Sequence, residues 1–184
     1  MASLQLQGLR VAILATDDFE QSELAEPKRA LEEAGATALI VSPKSGEIQG
    51  MKHDEKADRF RVDQPLAEAD PKQFDAAVLP GGALNADALR VVPQAKAFIT
   101  AMDQAGKPIA VICHGPWLLV SAGLVSGRKM TSYHTIQDDL RNAGADWRDA
   151  EVLRDRNWVS SRKPAERRKR RSRFRARSSR LRPT

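Results

Sequence analysis

Unbroken apolar runs of strand length constrain the fold of this chain most. They are Leu9–Ala15, Ala38–Ser42, Asp75–Pro80 and Pro108–Cys113. Continuous runs rich in β-branched residues are typical of strands that are covered on both faces. Segments with helical periodicity lie between them, and the core face of one comprises Val92, Ala95, Phe98, Ile99 and Met102. The alternation predicts an α/β fold, with a mostly parallel sheet and helices on both faces.

The same patterns predict the remaining elements. A helix is expected over about Pro116–Ala122, and another over about Ile136–Ala143 with Thr135 and Asp138 as its capping-box pair. An earlier helix runs through about Gln21–Ala34. Two hairpins are expected, one within Ser45–Asp63 and one formed by Glu151–Arg154 and Trp158–Ser161.

The charge is distributed unevenly along the chain. Residues Ala165–Thr184 contain ten Lys and Arg against a single acidic residue, Glu166, whereas the preceding residues carry a net charge of −3. We therefore predict one α/β domain over residues 1–164 and an Arg-rich tail over 165–184. The tail has too few apolar residues to fold, so it is either disordered or the product of a reading-frame shift near Ala165. Nucleic-acid binding is expected only non-specifically, through this tail.

The sequence also limits where in the cell the protein is expected and which kinds of site it can form. No apolar segment is long enough to span a membrane, and the N-terminus lacks the pattern of a secretory signal, so a cytoplasmic protein is expected. Cys113 is the only cysteine, which excludes an intrachain disulfide. His53, His114 and His134 lack the spacing of metal ligands, and we predict neither a metal nor an organic cofactor.

Three candidate groups fall at the carboxyl ends of the predicted strands, where ligands bind in open α/β sheets. Glu20 follows the first strand, Gly81 and Gly82 follow the third, and Cys113 with His114 follows the fourth. A cysteine at a strand–turn–helix junction is exposed above the sheet, as in a nucleophile elbow. The following helix N-terminus is expected to lower the pKa of the thiol.

These residues predict a thiol that attacks a carbonyl. The backbone N–H groups of Gly82 and His114 would form an oxyanion hole, and Glu20 would hydrogen-bond the sulfur and shuttle a proton. His114 is expected to point to a different side and to act as a base on the substrate. Each residue also has an ordinary structural explanation, since a lone cysteine is most often a small buried hydrophobe. Their convergence on one sheet edge favours a site.

Several segments resemble the PfpI family of intracellular cysteine peptidase-like and deglycase-like stress proteins, in the class I glutamine amidotransferase-like superfamily. These segments are VAILATDDFE, LPGGALNADALR, GKPIAVICHGPWLL, TSYHTIQDDLRNAGADWRDAEV and NWVSSRKPA. The resemblance covers about Leu9–Pro164 and implies a flavodoxin-like three-layer sandwich with Cys113 as nucleophile. It also implies that Glu20 bonds the thiol.

The resemblance implies further roles and partners. In some members a carboxylate from a neighbouring subunit orients the histidine, and Asp87 is the nearest match in this chain. His134 lies in a stretch that lines the pocket in relatives, and is a candidate pocket residue with no assigned role. A homodimer or higher homo-oligomer is expected.

Three functions remain open on this basis. The first is stress-response hydrolysis of reactive carbonyls, with a small aldehyde or a glycated protein as substrate. The second is an intracellular cysteine peptidase that uses Cys113 and His114. The third is a non-enzymatic redox sensor or holdase in which Cys113 is oxidised.

Overall fold

The computed structural model describes residues 5–162. The four apolar runs form adjacent strands in the middle of one sheet: β1 (Arg10–Leu14), β3 (Thr37–Ser42), β7 (Ala76–Leu79) and β8 (Ile109–Ile112). The other strands are β2 (Phe19–Glu20), β4 (Glu47–Lys52), β5 (Glu55–Arg61), β6 (Gln64–Pro65), β9 (Lys129–Met130), β10 (Asp146–Trp147), β11 (Val152–Asp155) and β12 (Trp158–Ser161). The helices are α1 (Gln21–Glu33), α2 (Ala83–Arg90), α3 (Pro93–Gln104), α4 (Pro116–Ser121) and α5 (Gln137–Asn142). The predicted Arg-rich tail lies outside the described residues.

The central sheet has seven strands in the order β11-β12-β8-β7-β1-β3-β6. All its pairings are parallel except that of β11 with β12, which forms the predicted hairpin. The five central parallel strands follow the flavodoxin order, in which the chain reverses direction across the sheet after β3. The predicted flavodoxin-like fold is confirmed. The reversal opens a crevice beside the carboxyl ends of β1 and β7.

Both faces of the sheet are covered, as the continuous apolar runs predicted. In β1, Ala12 and Leu14 belong to one buried cluster, with side chains of α3, α4 and α5. Val11 and Ile13 alternate with them and belong to a second cluster on the opposite face, with α1 and β4. A strand that is buried on both faces cannot show the polar alternation of a half-exposed strand.

Two local features differ from the predictions. α2 was not expected, and it occupies the segment directly after Gly82. α5 begins at Gln137, after a 3₁₀ turn over His134–Ile136, and its N-cap residue makes no side-chain hydrogen bond. Because Thr135 lies inside that turn, the predicted capping box does not form.

A buried polar cluster ties α3 to the β11–β12 hairpin. Asp103 Oδ1 accepts hydrogen bonds from Arg128 Nη2 at 2.6 Å, Trp158 Nε1 at 2.7 Å and Asn157 Nδ2 at 3.1 Å. The Arg128 guanidinium also stacks on the Trp158 ring, 3.9 Å from its centroid. The charge of Arg128, which is 6% exposed, is therefore compensated inside the protein.

Within residues 5–162, the helices are all too short or too polar to cross a bilayer.

Candidate active site

Cys113 occupies the turn between β8 and α4, as predicted for a nucleophile elbow. Its φ of 58° is in the left-handed region, which a residue with a side chain adopts only when the surrounding structure holds it there. The backbone on both sides is held: the Cys113 N–H donates to the Ser161 carbonyl at 3.0 Å, and the Cys113 carbonyl accepts from the Tyr133 N–H at 2.9 Å. The side chain is thereby aimed over the carboxyl edge of the sheet.

The carboxyl group beside the thiol is that of Glu23, which corrects the expectation for Glu20. Glu23 is 2% exposed, hydrogen-bonds Cys113, and accepts the Gly81 N–H at 2.7 Å through Oε2. Glu20 lies half-buried at the end of β2, where its carboxylate accepts the His53 N–H at 3.0 Å and the Ser22 hydroxyl at 3.3 Å. β2 ends at Glu20 and α1 begins at Gln21, so Glu20 belongs to the strand and Glu23 to the first turn of the helix.

Burial dominates the electrostatics of this pair. It raises the pKa of Glu23 to about 7, although the bonds from the Gly81 N–H and the Cys113 thiol act in the opposite direction. Burial and the Glu23 charge also raise the pKa of the Cys113 thiol. The expected lowering by the helix N-terminus is outweighed, since the sulfur faces protein atoms and a neighbouring carboxylate. The two groups titrate as one coupled pair.

Two backbone N–H groups face the sulfur. Those of Gly82 and His114 hydrogen-bond Cys113 and act to lower the pKa of its thiol. The glycine turn is held by the buried side chain of Asn85, whose Nδ2 donates to the Gly81 carbonyl at 2.9 Å and to the Pro80 carbonyl at 3.2 Å. A Cβ on Gly81 would lie 2.7 Å from the Cβ of Cys113 and would meet the Glu23 carboxyl. Only glycine allows this close approach.

The His114 ring lies against the sulfur, which differs from the expectation that it points elsewhere. Its Nδ1 is 3.2 Å from Cys113 Sγ, and its Nε2 is 3.4 Å from the Thr135 hydroxyl. Tyr133 and Trp117 pack on the ring, with centroids at 5.0 and 5.4 Å. Burial lowers the pKa of His114, and nearby His134 lowers it further. The imidazole is therefore neutral at pH 7.

The remaining predicted residues lie apart from the thiol. Asp87 is exposed on α2, so a contact with His114 requires a neighbouring subunit and stays a prediction. His134 is exposed, with its ring 4.6 Å from that of Tyr133. Sequence reasoning missed Glu23. Glu23 carried a weak signal, since it precedes the apolar Leu24 on the helix face turned toward the core.

A cavity of about 760 Å³ opens above the thiol, large enough for a small-molecule substrate. Its walls include Cys113, His114, Glu23 and Gly82, together with Lys52 at the end of β4 and His53 in the β4–β5 turn. The arrangement offers a thiol, a carboxyl that can hold its proton, a neutral imidazole and two N–H donors around one point. In residues 5–162, no cluster of three or more His, Cys, Asp or Glu side chains is arranged to hold a metal ion.

Comparison with known proteins places these residues in a family context. The sequence model described as the DJ-1/PfpI family matches residues 9–169. A deglycase of Thermococcus kodakarensis is 46% identical over 158 residues, which span 86% of this chain and 92% of that protein. A putative cysteine protease of Bacillus subtilis is 38% identical over 84% of this chain and 89% of its own length. The crystal structure of Drosophila melanogaster DJ-1beta superimposes with a TM-score of 0.77 at 25% identity, over 85% of this chain and 82% of that one.

Proposed function

The chain belongs to the DJ-1/PfpI family, and we propose that it is a stress-response hydrolase whose Cys113 thiolate attacks reactive carbonyls. Its substrates are small aldehydes and the adducts that they form on proteins. The observation that carries the proposal is the sole cysteine paired with a buried carboxyl, Glu23, at the floor of a cavity. The resemblance to a protein named deglycase supports the same chemistry.

Glu23 and the backbone N–H groups prepare the first step. Glu23 takes the thiol proton, and the resulting thiolate attacks the aldehyde carbon, so that a C–S bond forms. The N–H groups of Gly82 and His114 stabilise the negative charge that develops on the carbonyl oxygen. That oxygen then takes the proton, which gives a neutral thiohemiacetal.

The second half of the reaction releases the product. With an α-oxoaldehyde such as methylglyoxal, a proton moves from the former aldehyde carbon to the neighbouring carbon, which converts the adduct into a lactate thioester. Water hydrolyses the thioester to lactate and regenerates the thiol. When the aldehyde is bound to an amine, the sulfur replaces the amine at that carbon, and the proton that Glu23 took from the thiol leaves with the amine.

Lactate formation from methylglyoxal in a buffer without primary amines tests the proposal. Lactate should form with the wild-type chain and fall by at least 100-fold with Cys113→Ala, because no other thiol exists in the sequence. Release of free lysine from its methylglyoxal adduct, measured in parallel, tests the adduct as substrate. Equal rates for wild type and Cys113→Ala with both substrates would contradict the proposal.

A cysteine peptidase is the second candidate. The 3.2 Å approach of His114 Nδ1 to Cys113 Sγ favours it, because a thiol beside an imidazole is also the nucleophile of peptidases. A fluorogenic peptide library tests this function. Cleavage that is lost in Cys113→Ala, without any lactate formation by the wild-type chain, would replace the carbonyl reaction by peptide hydrolysis.

A further inference from the structure

We infer that Asn85 is a positioning residue that fixes the direction of two backbone N–H groups, one facing Glu23 and one facing Cys113. It lies in the first turn of α2 and is 0% exposed. An amide that is buried so completely must find its hydrogen-bond partners inside the protein. The inference rests on the proposed function only in that it gives these N–H groups a part in the reaction.

The partners of Asn85 determine how its amide is oriented. Its Oδ1 accepts the Thr16 N–H at 2.8 Å. Its Nδ2 donates to the Gly81 carbonyl at 2.9 Å and to the Pro80 carbonyl at 3.2 Å. Because an N–H only donates and a carbonyl only accepts, exchanging the oxygen and the nitrogen would lose all three hydrogen bonds. The side chain therefore joins the turn after β1 to the turn after β7.

Each of the two carbonyls held in this way shares a peptide plane with an N–H group of the site. In a trans peptide, the carbonyl and the N–H that follows it point in opposite directions. The Pro80 carbonyl is opposite the Gly81 N–H, which donates to Glu23 Oε2 at 2.7 Å. The Gly81 carbonyl is opposite the Gly82 N–H, which hydrogen-bonds the sulfur. One side chain thus holds both planes whose N–H groups face the thiol and its carboxyl partner.

The plane between Gly81 and Gly82 needs such a contact, because two consecutive glycines make it easy to turn over. Its rotation changes ψ of the first residue and φ of the second, and glycine allows φ of either sign. The φ of Gly82 is 85°, and type I and type II turns differ by a rotation of this kind in their central peptide. A reversed plane would point the Gly81 carbonyl at the sulfur and repel the thiolate. The bond from Asn85 selects the direction that stabilises it.

The Gly82 N–H acts at two stages of the proposed reaction. It stabilises the Cys113 thiolate before the attack, and the negative charge on the carbonyl oxygen after it. Both charges arise only during the reaction, so a correctly directed N–H stabilises the charged states more than the complex with neutral substrate. Asn85 acts through the turn, and its loss should lower kcat and leave KM close to that of the wild type.

Asn85→Leu tests the inference, because leucine fills a similar volume and has no polar group. At pH 7 the rate of Cys113 alkylation by iodoacetamide should fall roughly 10-fold to 100-fold, as for loss of one hydrogen bond to a charged group. The kcat for lactate formation should fall by about 100-fold with little change in KM. Asn85→Ala, which is smaller and favours the helix, repeats both measurements where leucine prevents folding.

Leu89→Ala is the matched control. Leu89 is also buried in α2, at 3% exposure, so this variant loses stability through a cavity in the same helix. It leaves Asn85 in place, and its alkylation rate and KM should equal those of the wild type. A reduced alkylation rate in Leu89→Ala equal to that in Asn85→Leu would mean that general loosening of α2 is the cause, and would overturn the inference.

Nuclear Overhauser effects give a measurement that needs no turnover. An effect between the Gly82 amide proton and the Cys113 β protons is expected in the wild type and in Leu89→Ala, and should be lost in Asn85→Leu. Its absence from the wild type would overturn the inference. So would wild-type alkylation rates in Asn85→Leu or Asn85→Ala. Alkylation does not depend on lactate formation, so a wild-type chain that forms no lactate would contradict the proposed function alone.

Discussion

At the scale of single residues, the chemistry depends on a carboxyl group that protein atoms surround. Glu23 is 2% exposed, and its two polar contacts, with the Gly81 N–H and the Cys113 thiol, do not offset the loss of water. Its pKa therefore lies near 7, compared with an ordinary value of 4.5. Such a group exchanges its proton at the pH at which the reaction runs.

Glu23 should make the stability of the fold depend on pH. Because the pKa is raised in the folded state, the stabilisation is fully present below pH 4.5 and is lost as the pH rises through about 7. The expected loss for this group is about 3 kcal/mol. Urea unfolding at pH 5, 6, 7 and 8 measures it, and Glu23→Gln should remove most of this dependence.

Glu20→Gln is the control for that prediction. Glu20 lies three residues earlier, and its charge makes only the smallest of the contributions that raise the pKa of Glu23, so its substitution should leave most of the pH dependence of unfolding in place. A Glu23→Gln protein whose stability still falls between pH 5 and 8, as in the wild type, would contradict the assignment of the buried carboxyl.

The sequence could not distinguish these two glutamates. Both follow β1 and lie near the start of a helix, where an acidic residue also stabilises the helix dipole. What separates them is the position of Gly81, 58 residues later, whose N–H points at Glu23. Cys113, by contrast, could be found from the sequence, because a buried strand followed by a turn and a helix is a local pattern.

At the scale of elements, the site is assembled from two turns that approach each other closely. The turn after β7 supplies Gly81 and Gly82, and the turn after β8 supplies Cys113. These strands were predicted because burial on both faces gives a continuous apolar run. The helix α2 was missed because its buried side chains are few and include the polar Asn85.

Gly81→Ala should inactivate the site without a large change in the fold. The added Cβ would lie 2.7 Å from the Cβ of Cys113 and 3.1 Å from the backbone nitrogen of His114, so the thiol must move. A shift of about 1 Å in a reacting group costs on the order of 100-fold in rate. The rate of iodoacetamide labelling and the rate of lactate formation should both fall, whereas the far-UV circular dichroism should stay unchanged.

Gly106→Ala is the matched control for this substitution. Gly106 has open space around the position of a Cβ, but its φ of 66° disfavours alanine. This variant should lose stability and keep its labelling rate. Equal labelling rates for Gly81→Ala and the wild type would show that the two turns are not packed as described.

At the scale of the whole molecule, the cluster around Asp103 joins a helical layer to the edge of the sheet. Its members lie far apart in sequence, and no local pattern connects Arg128 with Asp103 or with Trp158. Sequence reasoning predicted the hairpin and the helix separately, but not what holds them together. The same limit applied to the pairing of Glu23 with Cys113.

Asp103→Ala should destabilise the chain by about 3 kcal/mol, because it leaves the buried Arg128 guanidinium without its closest counter-charge. Asp103→Asn keeps an oxygen acceptor for the Trp158 and Asn157 donors, so its cost should be smaller. Urea unfolding at pH 7 compares the two variants with the wild type. A cost for Asp103→Ala no greater than that of Asp103→Asn would refute the role of the oxygen acceptor, and an Asp103→Asn protein as stable as the wild type would refute the role of the charge.

The burial of Glu23 also sets two requirements of the protein against each other. Removing a proton from the Glu23–Cys113 pair makes the nucleophile, and the same removal weakens the fold. The contribution of Glu23 to stability is therefore greatest in mild acid, whereas its capacity to take the thiol proton is greatest above about pH 7, where that contribution is lost. Selection for heat resistance alone at pH 8 would favour replacement of Glu23 by a neutral residue, and the resulting proteins would be more stable but would lack the group that takes the proton of the Cys113 thiol.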